Sequence, residues 1–319
     1  MQVTFFLPER YFPDASAREA WQQGKNAAEQ SGKSASVLSW IYQTWQILHQ
    51  AGQDVRLSHT MPDQGVVVAL TGNLASDFRP PAGVYLLGIV ADGMFHAGAD
   101  RQILQNSAFA RWHPEFEFMP HWPQPGLLPR DGERGDRFEN IRFFGDAPNL
   151  SSEIMAPTFQ KKLAALDLGF SCVSAEHWHD YRSTDCALAI RSFDHHPHHR
   201  KPASKLYNAW LSEVPFIGGW DSAYAADGIP ETNYLRCGSP EAVLRELCAL
   251  RNHPARRHAL VEAGRKAAES FTREAITRRW VGLLEKSKER FGKQMPPVLR
   301  KSRQAMRQLS FMVINRISR

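Results

Sequence analysis

The sequence predicts an α/β protein made of two Rossmann-like open parallel-sheet domains facing a cleft. Three observations predict it. Short apolar runs alternate with amphipathic stretches along most of the chain, which is the grammar of strands joined by crossover helices. Residues 66–70 and 84–90 are continuous β-branched and aliphatic runs, as parallel strands covered on both faces require. The length of 319 residues exceeds one ordinary domain and suits two of about 100–200 residues, each able to bury its own core.

In the first half, residues 3–7 read as a first strand rather than a secretory leader, since no charged stretch precedes them and no cleavage site follows. Residues 22–36 are polar and rich in Gly, Ser and Ala, the composition of a flexible loop. A helix is expected over 37–50, where Val37, Ile41, Trp45 and Leu48 share a face, with Gly52 as its C-terminal stop. Strands follow at 55–57, 66–70 and 84–90.

Pro120, Pro123, Pro125 and Pro129 lead into the charged, glycine-containing run 130–136. That composition reads as a linker, so the domains are set at 1–130 and 131–290, with a basic tail at 291–319. The second half repeats the pattern. Strands are expected at 141–144, 169–174, 186–191, 214–217 and 234–237. Helices are expected at 153–166, 202–212, 240–250, 255–270 and 272–289. Ligands of open parallel sheets bind at the carboxyl ends of the strands, and a cleft between lobes is the expected binding place.

Composition narrows the class. Apolar residues make up 43 % and charged residues 23 %, which is globular rather than disordered. No apolar run approaches the roughly 18 residues of a membrane span. Cys172, Cys186, Cys237 and Cys248 form no CxxC pair and match no zinc spacing; they read as reduced thiols of a cytoplasmic protein. The net charge is +6, and residues 293–319 hold seven Lys or Arg and no acid. Such a surface attracts anions in general.

The segment 200–219 carries the most chemistry. Pro202 suits a first helical turn, and Leu206, Tyr207, Trp210 and Leu211 supply a face to bury. Unpaired N–H groups at a helix start attract anions. Arg200, Lys201, Ser204 and Lys205 crowd that start, where the helix dipole disfavours cations. A diphosphate would complete the group; a solvated basic helix start is the other reading.

The string Lys201-Pro-Ala-Ser-Lys-Leu-Tyr-Asn-Ala-Trp-Leu211 with Val214-Pro215 resembles the donor-binding helix and the following short strand of GT-B glycosyltransferases. Phe143-Phe-Gly-Asp146 resembles the strand and glycine loop that open the donor lobe, and residues 185–191 resemble the strand before the donor helix. Asp221-Ser-Ala-Tyr224 resembles the loop after the short strand. The resemblance covers about residues 138–285. It departs from the family at Glu213, which stands where the family has glycine, and in lacking the spaced glutamate pair of many retaining members. It implies that Lys205 and Arg191 stabilise a diphosphate leaving group without a metal or other cofactor. It further implies that Gly145 belongs to the donor loop, that Ser204 and Asn208 bond phosphate or ribose oxygens, and that Asp221, Ser222 and Tyr224 line the sugar or nucleotide pocket.

Residues 91–96 follow the strand 84–90, so Asp92 and His96 emerge at a carboxyl end. Either could take an acceptor proton in an inverting transfer, Asp92 being the first choice; Asp92-Gly93 also reads as a plain turn. His121 opens the linker and reads as a donor contact or a packed histidine. The tract 194–199 holds four histidines. Pro197 interrupts any ligand spacing, and the tract reads as a loop adding positive potential rather than a metal site. In the tail, Val298, Met306, Leu309 and Met312 could share one helical face, suiting an anionic membrane surface or packing on the protein itself.

The expected function is transfer of a sugar from a nucleotide-diphosphate donor to a glycan or lipid-linked acceptor, in the cytoplasm and peripheral to the inner membrane face. The alternatives are a GT-B-shaped nucleotide-sugar epimerase, or a non-catalytic protein whose basic tail binds membrane or nucleic acid. No nucleic-acid motif is present, and nucleic acid is not an expected partner.

Overall fold

The computed structural model describes residues 1–14, 35–293 and 297–318. The loop expected at 22–36 lies, but for its last two residues, outside the described residues, as do Arg319 and the side chain of Val298. The chain divides into two compact units. One is built from Met1–His121, His199–Lys201 and Arg273–Arg319, the other from Trp122–His198 and Pro202–Thr272.

The first unit holds a six-stranded sheet of β1 (Val3–Phe6), β2 (Val55–Ser58), β3 (Gln64–Leu70), β4 (Gly83–Ile89), β5 (Arg101–Leu104) and β6 (Phe116–Phe118). The order is β2-β1-β3-β4-β5-β6, and every pairing is parallel. Val3 sits between Val55 and Val66 in register. The apolar runs in β3 and β4 are buried on both faces. β5 and β6 were not expected; they are short and carry Arg101, Gln102 and Glu117, which masks the apolar signal.

The helix expected at 37–50 is continuous but not uniform. It runs as α1 (Ala35–Val37), a π turn (Leu38–Tyr42) and α2 (Gln43–Gln50). The wider turn brings Trp40, Ile41 and Tyr42 all into the interior. Gly52, at φ 75°, follows the helix end as expected. The short α3 (Ser107–Ala110) is capped by the Asn106 side chain, which accepts from the Phe109 N–H.

The second unit holds β7 (Asn140–Phe144), β8 (Gly169–Val173), β9 (Cys186–Ala189), β10 (Phe216–Gly218) and β11 (Leu235–Arg236). The order is β11-β10-β9-β7-β8, again parallel throughout. The helix expected at 153–166 is broken before Pro157 into α4 (Ser152–Met155) and α5 (Pro157–Ala164), because proline cannot donate to the preceding turn. Next come α6 (Ser204–Leu211), α7 (Ser222–Asp227), α8 (Pro240–Asn252) and α9 (Pro254–Ala268). α6 and α9 pack closely because Gly264 has no side chain: a Cβ there would meet Trp210 Cδ1 at 2.5 Å.

Two expectations about organisation are corrected. The run 130–136 is not a loose linker. Arg130 and Arg134 both bond the buried Asp185 carboxylate, at 3.0 and 2.7 Å, and the Leu128 and Asp131 N–H groups donate to His179 and Arg182 carbonyls. Its charges had a partner some fifty residues away. Nor does the stretch after residue 272 belong to the second unit. α10 (Arg273–Phe291) buries Trp280 against Phe5, ring centres 6.2 Å apart, and lies on β3 and β4. The tail is α11 (Pro297–Ile317), whose Phe311 enters a cluster with Phe95, Phe109 and Phe116 of the first unit. Among the described residues, no helix is long and apolar enough to cross a membrane.

Candidate functional site

In the second unit the chain goes from β7 outward to β8 and then returns to the other side of β7 as β9. The carboxyl ends of β7 and β9 therefore flank a topological switch point, where open parallel sheets bind ligands. Gly145 follows β7 and Arg191 follows β9. The residues gathered there come from four separate stretches of sequence.

Lys205, in the first turn of α6, lies against the β7 loop. Its Nζ stands 5.4 Å from the centre of the Phe143 ring. A Cβ at Gly145 would come within 2.9 Å of Lys205 Cε and 3.2 Å of its Nζ, so glycine is what lets the ammonium approach the loop. The start of α6 has no side-chain cap, which leaves its first N–H groups to other partners. Ser204 is the first residue of that helix and is half-buried.

Arg191 is held at the end of β9 by two neighbours. Its Nε donates to Asp221 Oδ1 at 2.9 Å and a terminal nitrogen to Asn149 Oδ1 at 3.0 Å. Asp221 is 1 % exposed, and its Oδ2 has no hydrogen-bond partner. Burial raises the Asp221 pKa above the ordinary carboxylate value, although Arg191 and Lys205 pull it down. Asp221 thus fixes the guanidinium and offsets part of its charge, and it also interacts with the Lys205 charge. Asn149 was not singled out from the sequence; its distance from Arg191 along the chain hid it.

Three other expected donor contacts have partners within the second unit. Asn208 accepts the Gln124 N–H at 3.1 Å and so fixes incoming chain. Tyr224 is buried in the aromatic core between Phe216 and Tyr234, and burial pushes its hydroxyl far above the usual phenol range. Ser222 donates its N–H to the Pro197 carbonyl at 2.7 Å. The helix begins at Ser204, two residues after Pro202.

The crowd of cations before α6 is also dispersed. Lys201 pairs with Asp92 at 2.7 Å. Arg200 bonds the Gly93 carbonyl, Asn315 and Ser318. Both belong to the first unit.

In that first unit, Asp92 presents a half-exposed carboxylate held by Lys201 and by Gln105 Nε2, each at 2.7 Å. His96 differs: it is 5 % exposed, its Nε2 lies 2.9 Å from the Ala75 carbonyl, and its Nδ1 accepts the Gly98 N–H at 3.1 Å. This is the Nε2–H tautomer with both nitrogens occupied, the arrangement of a structural histidine. His121 packs edge-on against Trp40 at 5.1 Å. In the histidine tract, His195 packs at a tilt against Trp220 and His196 edge-on against His198. Among the described residues, no three His, Cys, Asp or Glu side chains are grouped to hold a metal ion.

Comparison with solved structures defines the fold. Sucrose-phosphate synthase of Thermosynechococcus elongatus is 12 % identical with a TM-score of 0.57, over 90 % of this chain and 98 % of that one. Anabaena HepE, solved with UDP and glucose, is 10 % identical with a TM-score of 0.55, over 90 % and 100 %. TarM is 7 % identical with a TM-score of 0.51, over 70 % of this chain. This chain spans 56 % of TarM's length. The fold is GT-B, the two-domain architecture of many glycosyltransferases. No family model and no curated protein matches the sequence.

Proposed function

We propose that this chain is a glycosyltransferase that moves a sugar from a nucleotide-diphosphate donor to an acceptor hydroxyl. The observation that carries the reading is the Lys205 ammonium seated at Gly145, beside an uncapped helix start and at the switch point of the second sheet. Structural likeness to HepE, which was solved with UDP and glucose, supports the same reading.

In this reading the diphosphate lies against the Gly145 loop and the start of α6. The acceptor oxygen bonds to the anomeric carbon while the bond from that carbon to the diphosphate breaks. Negative charge then grows on the leaving diphosphate, where Lys205, with Arg191 held by Asp221 and Asn149, stabilises it most. The cations serve without a metal or other cofactor. Asp92 takes the acceptor proton in an inverting transfer; the commitment of both His96 nitrogens favours Asp92 over His96. The acceptor is a glycan or a lipid-linked sugar, and the basic segment 293–319 faces an anionic membrane surface. The four free thiols suit a cytoplasmic setting.

Thermal denaturation tests the donor half. UDP-, GDP-, ADP- and CMP-sugars are added in turn, and one series must raise the melting temperature, since a ligand of the folded state alone stabilises it. Release of free nucleotide only when an acceptor is added establishes transfer. Indifference to every nucleotide and nucleotide sugar abandons the reading.

A further inference from the structure

The first unit contains a cavity of about 1000 Å³ that the proposed donor chemistry does not use. It is walled by the loops that follow β3 and β4 and by the C-terminal helix α11. That volume stands at the top of the range for small-molecule sites. Its interior is mixed. Leu74, Phe78, Phe95 and Phe311 give it apolar walls, while Gln304 and Gln308 present amides from one side of α11. Arg79 stands on the lining and donates to Gln304 at 2.5 Å. Thr71, also on the lining, has a buried hydroxyl with no hydrogen-bond partner. His96 holds the two loops together, bonding Ala75 on one and Gly98 on the other.

The helix that closes the cavity is built unusually. Its inner face is fixed by polar anchors: Arg303 and Arg307 bond Glu115 at 2.5 and 2.6 Å, and Arg200 bonds Asn315 and Ser318. Its outer face is apolar. Met306, Leu309, Val313 and Ile317 recur at spacings of three, four and four, and with Met312 they are 59–67 % exposed. That stripe runs about 16 Å along the helix. A contiguous apolar patch facing solvent marks a contact surface. Met312 belongs both to this stripe and to the cavity lining, so the apolar surface continues into the cavity. The segment 293–319 carries no acid and, besides the Arg303 and Arg307 that bond Glu115, five further cations, which complement anionic lipid headgroups.

We propose that this cavity binds the acceptor and that the acceptor is an amphiphile: a polar, hydroxyl-bearing head on a hydrocarbon chain. The chain packs on the aromatic and aliphatic walls. The head meets the amides of Gln304 and Gln308. The molecule enters past Met312 from an anionic bilayer on which the outer face of α11 rests. This rests on the glycosyl-transfer reading and names the acceptor class within it.

The test uses the full chain and a fluorescent amphiphile, 11-(dansylamino)undecanoic acid, below its micelle concentration and without nucleotide. Saturable binding with a rise in emission is expected, with displacement by octyl glucoside and none by glucose. Ala305→Trp with Gln308→Trp, at exposed positions lining the cavity, weakens binding about tenfold or more. Leu309→Glu with Val313→Glu, on the outer face, leaves probe binding unchanged but abolishes co-sedimentation with phosphatidylglycerol-rich vesicles. Absence of saturable probe binding overturns the proposal. So does equal binding in the cavity variant, or loss confined to the outer-face variant. Nucleotide titration of the same samples separates the two readings: nucleotide binding without probe binding defeats only this inference, and probe binding without any nucleotide binding defeats the transferase reading.

Discussion

Lys205 occupies space that any side chain at position 145 would take: Lys205 Cε lies 2.9 Å from where a Gly145 Cβ would be. The ammonium and the loop glycine are therefore one device, assembled from residues sixty positions apart in the chain. Lys205→Ala should weaken nucleoside diphosphate affinity by about 1.5–3 kcal/mol, the worth of a hydrogen bond to a charged group. The melting temperature of the unliganded protein should change little. Gly145→Val should reproduce the affinity loss by displacing the lysine. Calorimetric titration beside thermal denaturation checks both.

Asp185 anchors the start of β9. Burial alone would raise its pKa, but Arg134, the Glu139 and Asn140 N–H groups and Arg130 hold it below the ordinary value. A depressed folded pKa gives stability that is present above the unfolded value, about 4, and lost as pH falls through the folded one. Asp185→Asn leaves two guanidinium groups without their partner and should cost about 3 kcal/mol at neutral pH. Urea denaturation across pH should show the gap between wild type and variant closing in acid.

Much of the architecture is legible in the amino-acid sequence. The runs in β3 and β4 are long, β-branched and uninterrupted, and their strands lie within two residues of expectation. β5 and β6 escaped because strands of four and three residues carrying charges leave no periodic trace. The misassignment of α10 has another cause. An amphipathic helix announces that it covers a sheet but not which one, and Trp280 finds Phe5 only in three dimensions. The candidate site is scattered along the sequence for the same reason. Gly145, Lys205, Arg191 and Asp221 converge, whereas Arg200 and Lys201, adjacent in sequence, bond other partners.

Glu213 adopts φ 56°, in the left-handed region that favours glycine, at the position where the family resemblance expects one. The strain of a side chain there is about 1–2 kcal/mol, and the added freedom of an unfolded glycine offsets about 0.5–1 kcal/mol of it. Glu213→Gly should accordingly stabilise the protein slightly, read as a higher urea midpoint at unchanged slope.

Glu115 holds α11 through Arg303 and Arg307. Burial would raise its pKa, yet the hydrogen bonds and charge of the two arginines keep it lowered. Its contribution is thus present at neutral pH and lost as acid brings the pH through the folded value. Glu115→Gln should loosen the C-terminal helix. Hydrogen exchange within residues 303–317 should accelerate at pH 7 while the β3 and β4 amides remain protected.

The most direct measurement is calorimetric titration of the intact protein and of Lys205→Ala with UDP, GDP, ADP and CDP. Saturable one-to-one binding of at least one nucleotide to the wild type is predicted, weakened about tenfold or more in the variant. Heats of dilution alone for all four, or equal affinity in both proteins, would contradict a diphosphate held between the Gly145 loop and Lys205.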